Sequence, residues 1–254
     1  MNSYFNEDDY VIMMRPFNHV GVGTLSIYPA FFKAKNISIC TFPPDWSEEY
    51  HKATHIHIDQ QMMNFGCNLP KKLRMLTSGG YNFNSECVNY VTSRSEIENI
   101  VDCFGTARCP PPLAIRQTLK DTSFEWVNEF IKLGIKEGTN ELMFSTEQEN
   151  VFNELSNSFA NSIVTNDTIE LLDNGRRFSL TGKLILKIRM AHALYEIIEF
   201  KRLFAERGGV NDFDVKFEVI DGLQNPVLYV NERDFKTVSE AMSKFNVEAK
   251  LKIK

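Results

Sequence analysis

The sequence has few of the features that announce whole classes of protein. Its N-terminus, Met1-Asn-Ser-Tyr-Phe-Asn-Glu-Asp-Asp, carries acids where a secretory signal carries a basic region and an apolar core, and it does not read as one. No apolar run approaches the roughly 18 to 20 residues a spanning helix requires, so no membrane partner is expected. A Gly-x-x-x-x-Gly-Lys loop, a Gly-x-Ser-x-Gly elbow and a dinucleotide fingerprint are all missing, and with them the commonest nucleotide-binding and serine-hydrolase routes. There is no internal repeat and no low-complexity segment. Cysteine occurs only five times, at Cys40, Cys67, Cys87, Cys103 and Cys109. The number is odd and no paired metal-type spacing is present, which excludes a disulfide scaffold and makes a reducing cytoplasm the simplest compartment.

What is there is enough for a globular protein. The 254 residues, 43% hydrophobic and 24% charged, can bury a real core and allow one large domain or two of ordinary size. The 28 basic and 33 acidic residues leave a formal charge of -5, no global reason to expect nucleic acid or acidic lipid. The charge is uneven, however. Residues 171–254 hold 15 Lys/Arg against 12 Asp/Glu, leaving 13 against 21 before them, so a mildly basic C-terminal part follows an acidic one.

Tyr10 to Met14 form a short apolar run; Thr24 to Tyr28 and Asn36 to Phe42 read as the two strands of a hairpin, which Pro43-Pro44 closes. Asp45 then opens a short helix over Trp46 to Lys52. Residues 64–95, rich in Gly and Asn, read as irregular. Helical spacing predicts helices over Ser95 to Phe104, Phe124 to Leu133 with Gly134 as its C-cap, Glu147 to Val164, and a longer basic stretch from Thr181 to Phe204. Beyond Gly208-Gly209, Val215 to Val219 and Val227 to Val230 alternate like strands, followed by a helix from about Phe235 to Phe245 and a last short strand.

The densest chemistry lies between Phe42 and Asp59. An indole N–H donates, a phenol donates and accepts, and a carboxylate accepts, so Trp46, Tyr50 and Asp59 together can read a small amide or lactone within aromatic walls. The same residues also fit a helix face packed on the hairpin, with Asp59 as a cap. Phe42, Trp46, Tyr50 and Asp59, behind a hairpin, resemble the ligand-binding domain of LuxR-type quorum-sensing regulators. Gly134-Ile135-Lys136-Glu137-Gly138, after a predicted helix with Trp126, resembles that family's Gly-Ile-x-x-Gly turn. The resemblance implies an α+β fold in two parts. An α/β/α sandwich sensor domain over residues 1–165 binds an acyl-homoserine-lactone-like signal through Phe42, Trp46, Tyr50, Asp59 and Trp126, and a smaller, mostly helical basic domain over 170–254 follows. Gln60, where the family commonly has Pro, and a long interval from Asp59 to Gly138 depart from the pattern.

Arg176, Arg177, Lys183, Lys187 and Arg189 are the residues such a domain would turn to DNA, since Lys and Arg release counterions when they meet a duplex; the alternative is a solvated helix face. Residues 214–230 read more like a hairpin than a DNA-reading turn. The function expected is therefore a ligand-responsive transcription regulator, a cytoplasmic homodimer with no enzyme activity, cofactor or metal. A sensor acting on a protein partner is one alternative. A metal-dependent hydrolase using His55, His57 and Asp59 is another, because alternating residues of a strand point to one side.

Overall fold

The computed structural model describes residues 5–13, 33–39, 50–58, 69–79, 83–106, 109–117, 121–128, 131–145, 162–183, 186–191, 193–221 and 223–254. The chain divides into two compact units, one of residues 1–59 and 68–184, the other of 60–67 and 185–254.

The first unit is built on one broad mixed sheet. Its strands, in chain order, are β1 (Tyr10–Met13), β2 (Asn36–Ile39), β3 (His55–His57) and β4 (Lys72–Gly79). Helix α1 (Ser85–Thr92) comes next, and then β5 (Glu96–Thr106), β6 (Cys109–Gln117), β7 (Phe124–Trp126), β8 (Lys132–Ile135), β9 (Glu141–Ser145), β10 (Ser162–Leu172) and β11 (Arg177–Lys183). The spatial order is β2-β1-β3-β4-β5-β6-β7-β11-β10-β9-β8. Neighbours from β2 to β5 pair parallel; every pairing beyond β5 is antiparallel.

Parallel strands are covered on both faces and therefore read as nearly continuous apolar runs. Val11, Ile12, Met13, Ile56, Leu73, Met75, Leu76, Ile100 and Val101 are all buried accordingly. The crossover from β4 to β5 runs through α1, whose N-cap Asn84 accepts a hydrogen bond from the Cys87 N–H at 3.1 Å. At the amino end of the sheet Asp9 accepts from Arg74 Nε at 2.8 Å, from Thr54 Oγ1 at 2.9 Å and from the Asn6 N–H at 2.9 Å. Burial pushes the Asp9 carboxyl up, but these donors and the Arg74 charge outweigh it and hold it below the usual carboxylate range. The antiparallel half has its own core of Leu113, Phe124, Leu142, Phe144, Ile169 and Phe178. Phe124 and Phe178 stack at 5.4 Å, and Phe104 meets both edge-on.

The second unit contains β12 (Lys187–Met190), β13 (Ala193–Glu196), α2 (Ile197–Gly208), β14 (Phe213–Ile220), β15 (Leu223–Val230), α3 (Phe235–Lys244), β16 (Val247–Glu248) and β17 (Lys250–Ile253). They form two three-stranded sheets, β13-β12-β16 and β14-β15-β17. Phe200 and Phe204 from α2 stack at 5.3 Å over Phe213, in a core with Ile188, Met190, Leu228, Val230, Val238 and Met242. Gly209 ends α2 in the left-handed conformation at φ 66°, where its N–H reaches the Ala205 carbonyl.

The expected α/β/α sandwich followed by a mostly helical basic domain is not what forms. Ser95 to Phe104 lies in β5 apart from its first residue, where Ile100 to Asp102 are buried without a break and the three-and-four spacing of Ile97, Ile100, Val101 and Phe104 only coincides with a helical template. Phe124 to Leu133 is not a helix: Phe124 to Trp126 form β7, β8 starts at Lys132, and Asn128 Oδ1 accepts from the Ile131 N–H at 3.0 Å. The turn from Gly134 to Gly138 is the β8–β9 hairpin, with Gly138 at φ 75°. Thr181 to Phe204 holds the end of β11, then β12 and β13, and becomes helical only at Ile197. Within 64–95, read as irregular, lie β4 and α1. β2 pairs parallel to β1, and Thr24 to Tyr28, its expected hairpin partner, lies outside the described residues, as does nearly all of Glu147 to Val164. The alternating segments of the tail do form the β14–β15 hairpin, and α3 and β17 follow it. Among the described residues no helix is long and apolar enough to cross a membrane.

Candidate ligand crevice at the carboxyl ends of β4 and β5

Open sheets with parallel strands bind ligands outside the carboxyl ends of those strands. Here the ends of β4 and β5 carry a buried polar group that the apolar strands alone would not need. The two strands pair Thr77 with Val101, Ser78 with Asp102 and Gly79 with Cys103. Ser78 and Asp102 are buried, and Ser78 Oγ donates to Asp102 Oδ1 at 2.8 Å. Arg116 of β6 donates from Nη2 to Asp102 Oδ2 at 2.8 Å and to the Phe83 carbonyl at 2.7 Å, and from Nη1 to the Thr122 carbonyl at 3.3 Å. Its guanidinium lies 4.6 Å from the centre of the Phe124 ring. Burial pushes the Asp102 carboxyl up; Arg116, the Ser78 hydroxyl and the Cys103 N–H oppose that shift without cancelling it.

Strand β4 ends where only glycine fits. A Cβ on Gly79 would stand 2.9 Å from the Cys103 carbonyl oxygen, too close for a backbone that cannot swing aside. Gly79→Ala is therefore expected to lower the unfolding free energy by about 1–3 kcal/mol, the usual cost of overpacking, as read by urea denaturation; an unchanged midpoint would mean the strands do not approach as described. Beside it the Cys103 thiol is pushed up to about 12 by burial first and the neighbouring Asp102 second, which keeps it a protonated, unreactive thiol at neutral pH.

The adjoining strand brings in two buried histidines. His55 Nε2 and His57 Nδ1 each lie 3.1 Å from Thr77 Oγ1, and the Phe5 ring stacks on His55 at 4.7 Å. One hydroxyl can donate to one ring and accept from the other, so a single threonine serves both imidazoles. The metal-hydrolase alternative loses its footing here. The pair does share one side of β3, but it is engaged with Thr77, and among the described residues no group of three His, Cys, Asp or Glu could hold a metal ion. Asp59 lies outside the described residues.

Phe42 and Trp46 also lie outside the described residues. Tyr50 begins a single turn of 3-10 helix and is buried, its ring edge-on to His51 at 5.8 Å. Trp126 lies on β7, and its Nε1–H is spent on the Ile131 carbonyl at 2.8 Å. Four strand spacings, about 19 Å, separate β7 from β3, the strand that follows Tyr50. Of the basic residues, Arg176 is exposed in a turn, Arg177 on β11 is paired with Asp121 and Asp173, and Lys183 reaches Asp167 at 3.2 Å. Lys187 and Arg189 belong to β12 of the second unit, Arg189 pairing with Glu248 at 3.3 Å. Four of the five lie on antiparallel strands and none on a helix that could enter a major groove.

No family model and no curated protein matches the chain. Solved structures do. A variant of o-succinylbenzoate CoA synthetase from Bacillus subtilis, bound to its product analogue, matches 98% of this chain with 58% of its own, at a TM-score of 0.56 and 14% identity. The same B. subtilis synthetase in complex with its acyl-adenylate intermediate matches at 0.52 and 15%, over the same shares. An anthranilate CoA ligase in complex with anthranoyl-AMP matches 98% of this chain with 55% of its own, at 0.54 and 11%. The chain shares the fold of the matched part of these synthetases.

The chain spans less than two thirds of the length of each of these structures. A CoA-synthetase fold overturns the LuxR-type resemblance and what was hung on it. The regulator function, the quorum-sensing signal, the DNA partner and the expected lack of enzyme activity all rested on a sensor fold that the chain does not have. The short spacing of Trp, Tyr and Asp that carried the resemblance is too common a pattern to specify a fold. The sequence reading also passed over Ser78, Asp102 and Arg116. The one signal for them was Ser78-Gly79-Gly80 shortly after Leu73, Met75 and Leu76, the mark of a strand ending in a close backbone approach.

Proposed function

We propose that the chain activates a carboxylic acid as its adenylate, in the manner of a CoA synthetase, with the nucleotide at the carboxyl ends of β4 and β5. In that reaction a carboxylate oxygen attacks the α-phosphorus of ATP, the bond to pyrophosphate breaks and pyrophosphate leaves. A thiol sulfur then attacks the acyl carbon, the carbon–oxygen bond to AMP breaks, and the thiol proton passes to solvent. A cytoplasmic setting, where ATP and thiol acceptors are abundant, goes with this reading.

The observation that carries the proposal is the CoA-synthetase fold over 98% of the chain, two of whose solved examples hold an acyl-adenylate. The strand ends support it too, because Ser78, Asp102 and Arg116 tie together the place where such a fold is expected to take a ligand. Asp102 and Arg116 already satisfy each other, so their part is to hold the backbone rather than to exchange protons with substrate.

The test is ATP–pyrophosphate exchange over a panel of aromatic, aliphatic and hydroxy acids. Acid-dependent exchange with at least one class is the expected result. Absence of exchange with every acid, from protein that melts cooperatively, would contradict the proposal.

A further inference from the structure

Arg116 does more than neutralise Asp102. Its two terminal nitrogens reach three separate pieces of chain: β5 at Asp102, where its pairing with β4 ends, the start of α1 through the Phe83 carbonyl, and the β6–β7 connection through the Thr122 carbonyl. Asp102 in turn takes the Ser78 hydroxyl, so the carboxyl end of β4 is tied to the same guanidinium through one intermediary. Ser78, next to the last residue of β4, and the residues that lead into α1 are thus held by one group, which the Phe124 ring covers. An arginine can do this and a lysine cannot, because only the planar guanidinium offers several donors in a fixed fork.

We propose that Arg116, acting through Asp102, is a positioning residue for nucleotide binding: it sets the spacing among the carboxyl ends of β4 and β5 and the start of α1. The inference rests on the acid-activating reading and adds to it the residue that shapes the crevice. Arg116→Lys keeps the charge and most of the stem but serves at most part of the fork. Removing it leaves the strands paired and alters where their ends stand.

The experiment is calorimetric titration of the full chain with AMP, the part common to every acyl-adenylate, in wild type, Arg116→Lys and Phe178→Leu. The last variant loosens the antiparallel core behind the Phe124 ring, leaves every hydrogen-bond partner of Arg116 and Asp102 in place, and controls for lost stability. Expected is measurable AMP binding by wild type, at least ten-fold weaker binding by Arg116→Lys, and wild-type affinity in Phe178→Leu. Wild-type affinity in Arg116→Lys overturns the clamp alone, and so does an equal loss in Phe178→Leu. No AMP binding by wild type overturns the acid-activating reading and the clamp with it. If Arg116→Lys shows no cooperative melt, Ser78→Ala takes its place, with a loss of three-fold or more expected and an unchanged affinity counting against the proposal.

Discussion

Asp102→Ala is expected to lower the unfolding free energy by about 3–5 kcal/mol, the usual cost of deleting one partner of a buried ion pair. The reason is what remains. The Arg116 side chain is only 12% exposed, and without Asp102 its charge stays under the Phe124 ring with carbonyl oxygens alone for partners. The Ser78 hydroxyl, also buried, loses its acceptor. A double change, Asp102→Leu with Arg116→Met, removes both charges together and is expected to cost less than Asp102→Ala alone, since a buried pair is worth little against apolar groups that fill its space. Urea denaturation of the three variants checks this. If the double variant is the least stable of the set, the pair is a net source of stability and the desolvation argument fails.

A comparable effect is expected from acid at His55. Burial, first, and the Arg74 charge lower its pKa from 6.5 to about 3, against the opposing pull of Asp9. The folded value lies below the unfolded one, so the unfolded chain binds the extra proton. Above about pH 6.5 the imidazole is neutral in both states and its full contribution is present. Below that, stability falls by about 1.4 kcal/mol per pH unit until the folded histidine itself titrates near 3. Wild type should thus lose about 2 kcal/mol more than His55→Gln between pH 6.5 and pH 4.5, the unfolded imidazole being already half protonated at the upper limit. Asp9, held low, adds acid sensitivity of the same sign at lower pH, and Asp102, held high, opposes it. Both are present in wild type and variant and drop out of the difference. Parallel pH profiles for the two proteins would mean that His55 is not buried neutral.

The sequence made the tail legible and the middle illegible, for a physical reason. In β14 and α3 one face is core and the other more open to solvent, so Phe213, Val215 and Phe217 alternate with Asp214, Lys216 and Glu218, while Val238, Ala241 and Met242 fall at helical spacing. β1 was visible as an uninterrupted apolar run. β4, β5 and β7 carried no such contrast. Their faces are both covered, or their length is too short to establish a period, and β5 matched a helical template by accident. The candidate crevice was hidden for a different reason. Asp102 and Arg116 are fourteen residues apart with Ser78 further off, and only the register of β4, β5 and β6 brings them together. Composition drew attention instead to Trp46, Tyr50 and Asp59, whose types suit a pocket but whose spacing carries no topology.

A crystal structure of the full chain grown with saturating AMP tests the central claim most directly. The account predicts the nucleotide against Ser78 and Gly79 of β4 and Asp102 to Gly105 of β5, with the Arg116 fork unchanged. A nucleotide seated at the amino ends of the parallel strands near Asp9 and Arg74, or on the second unit, would contradict it.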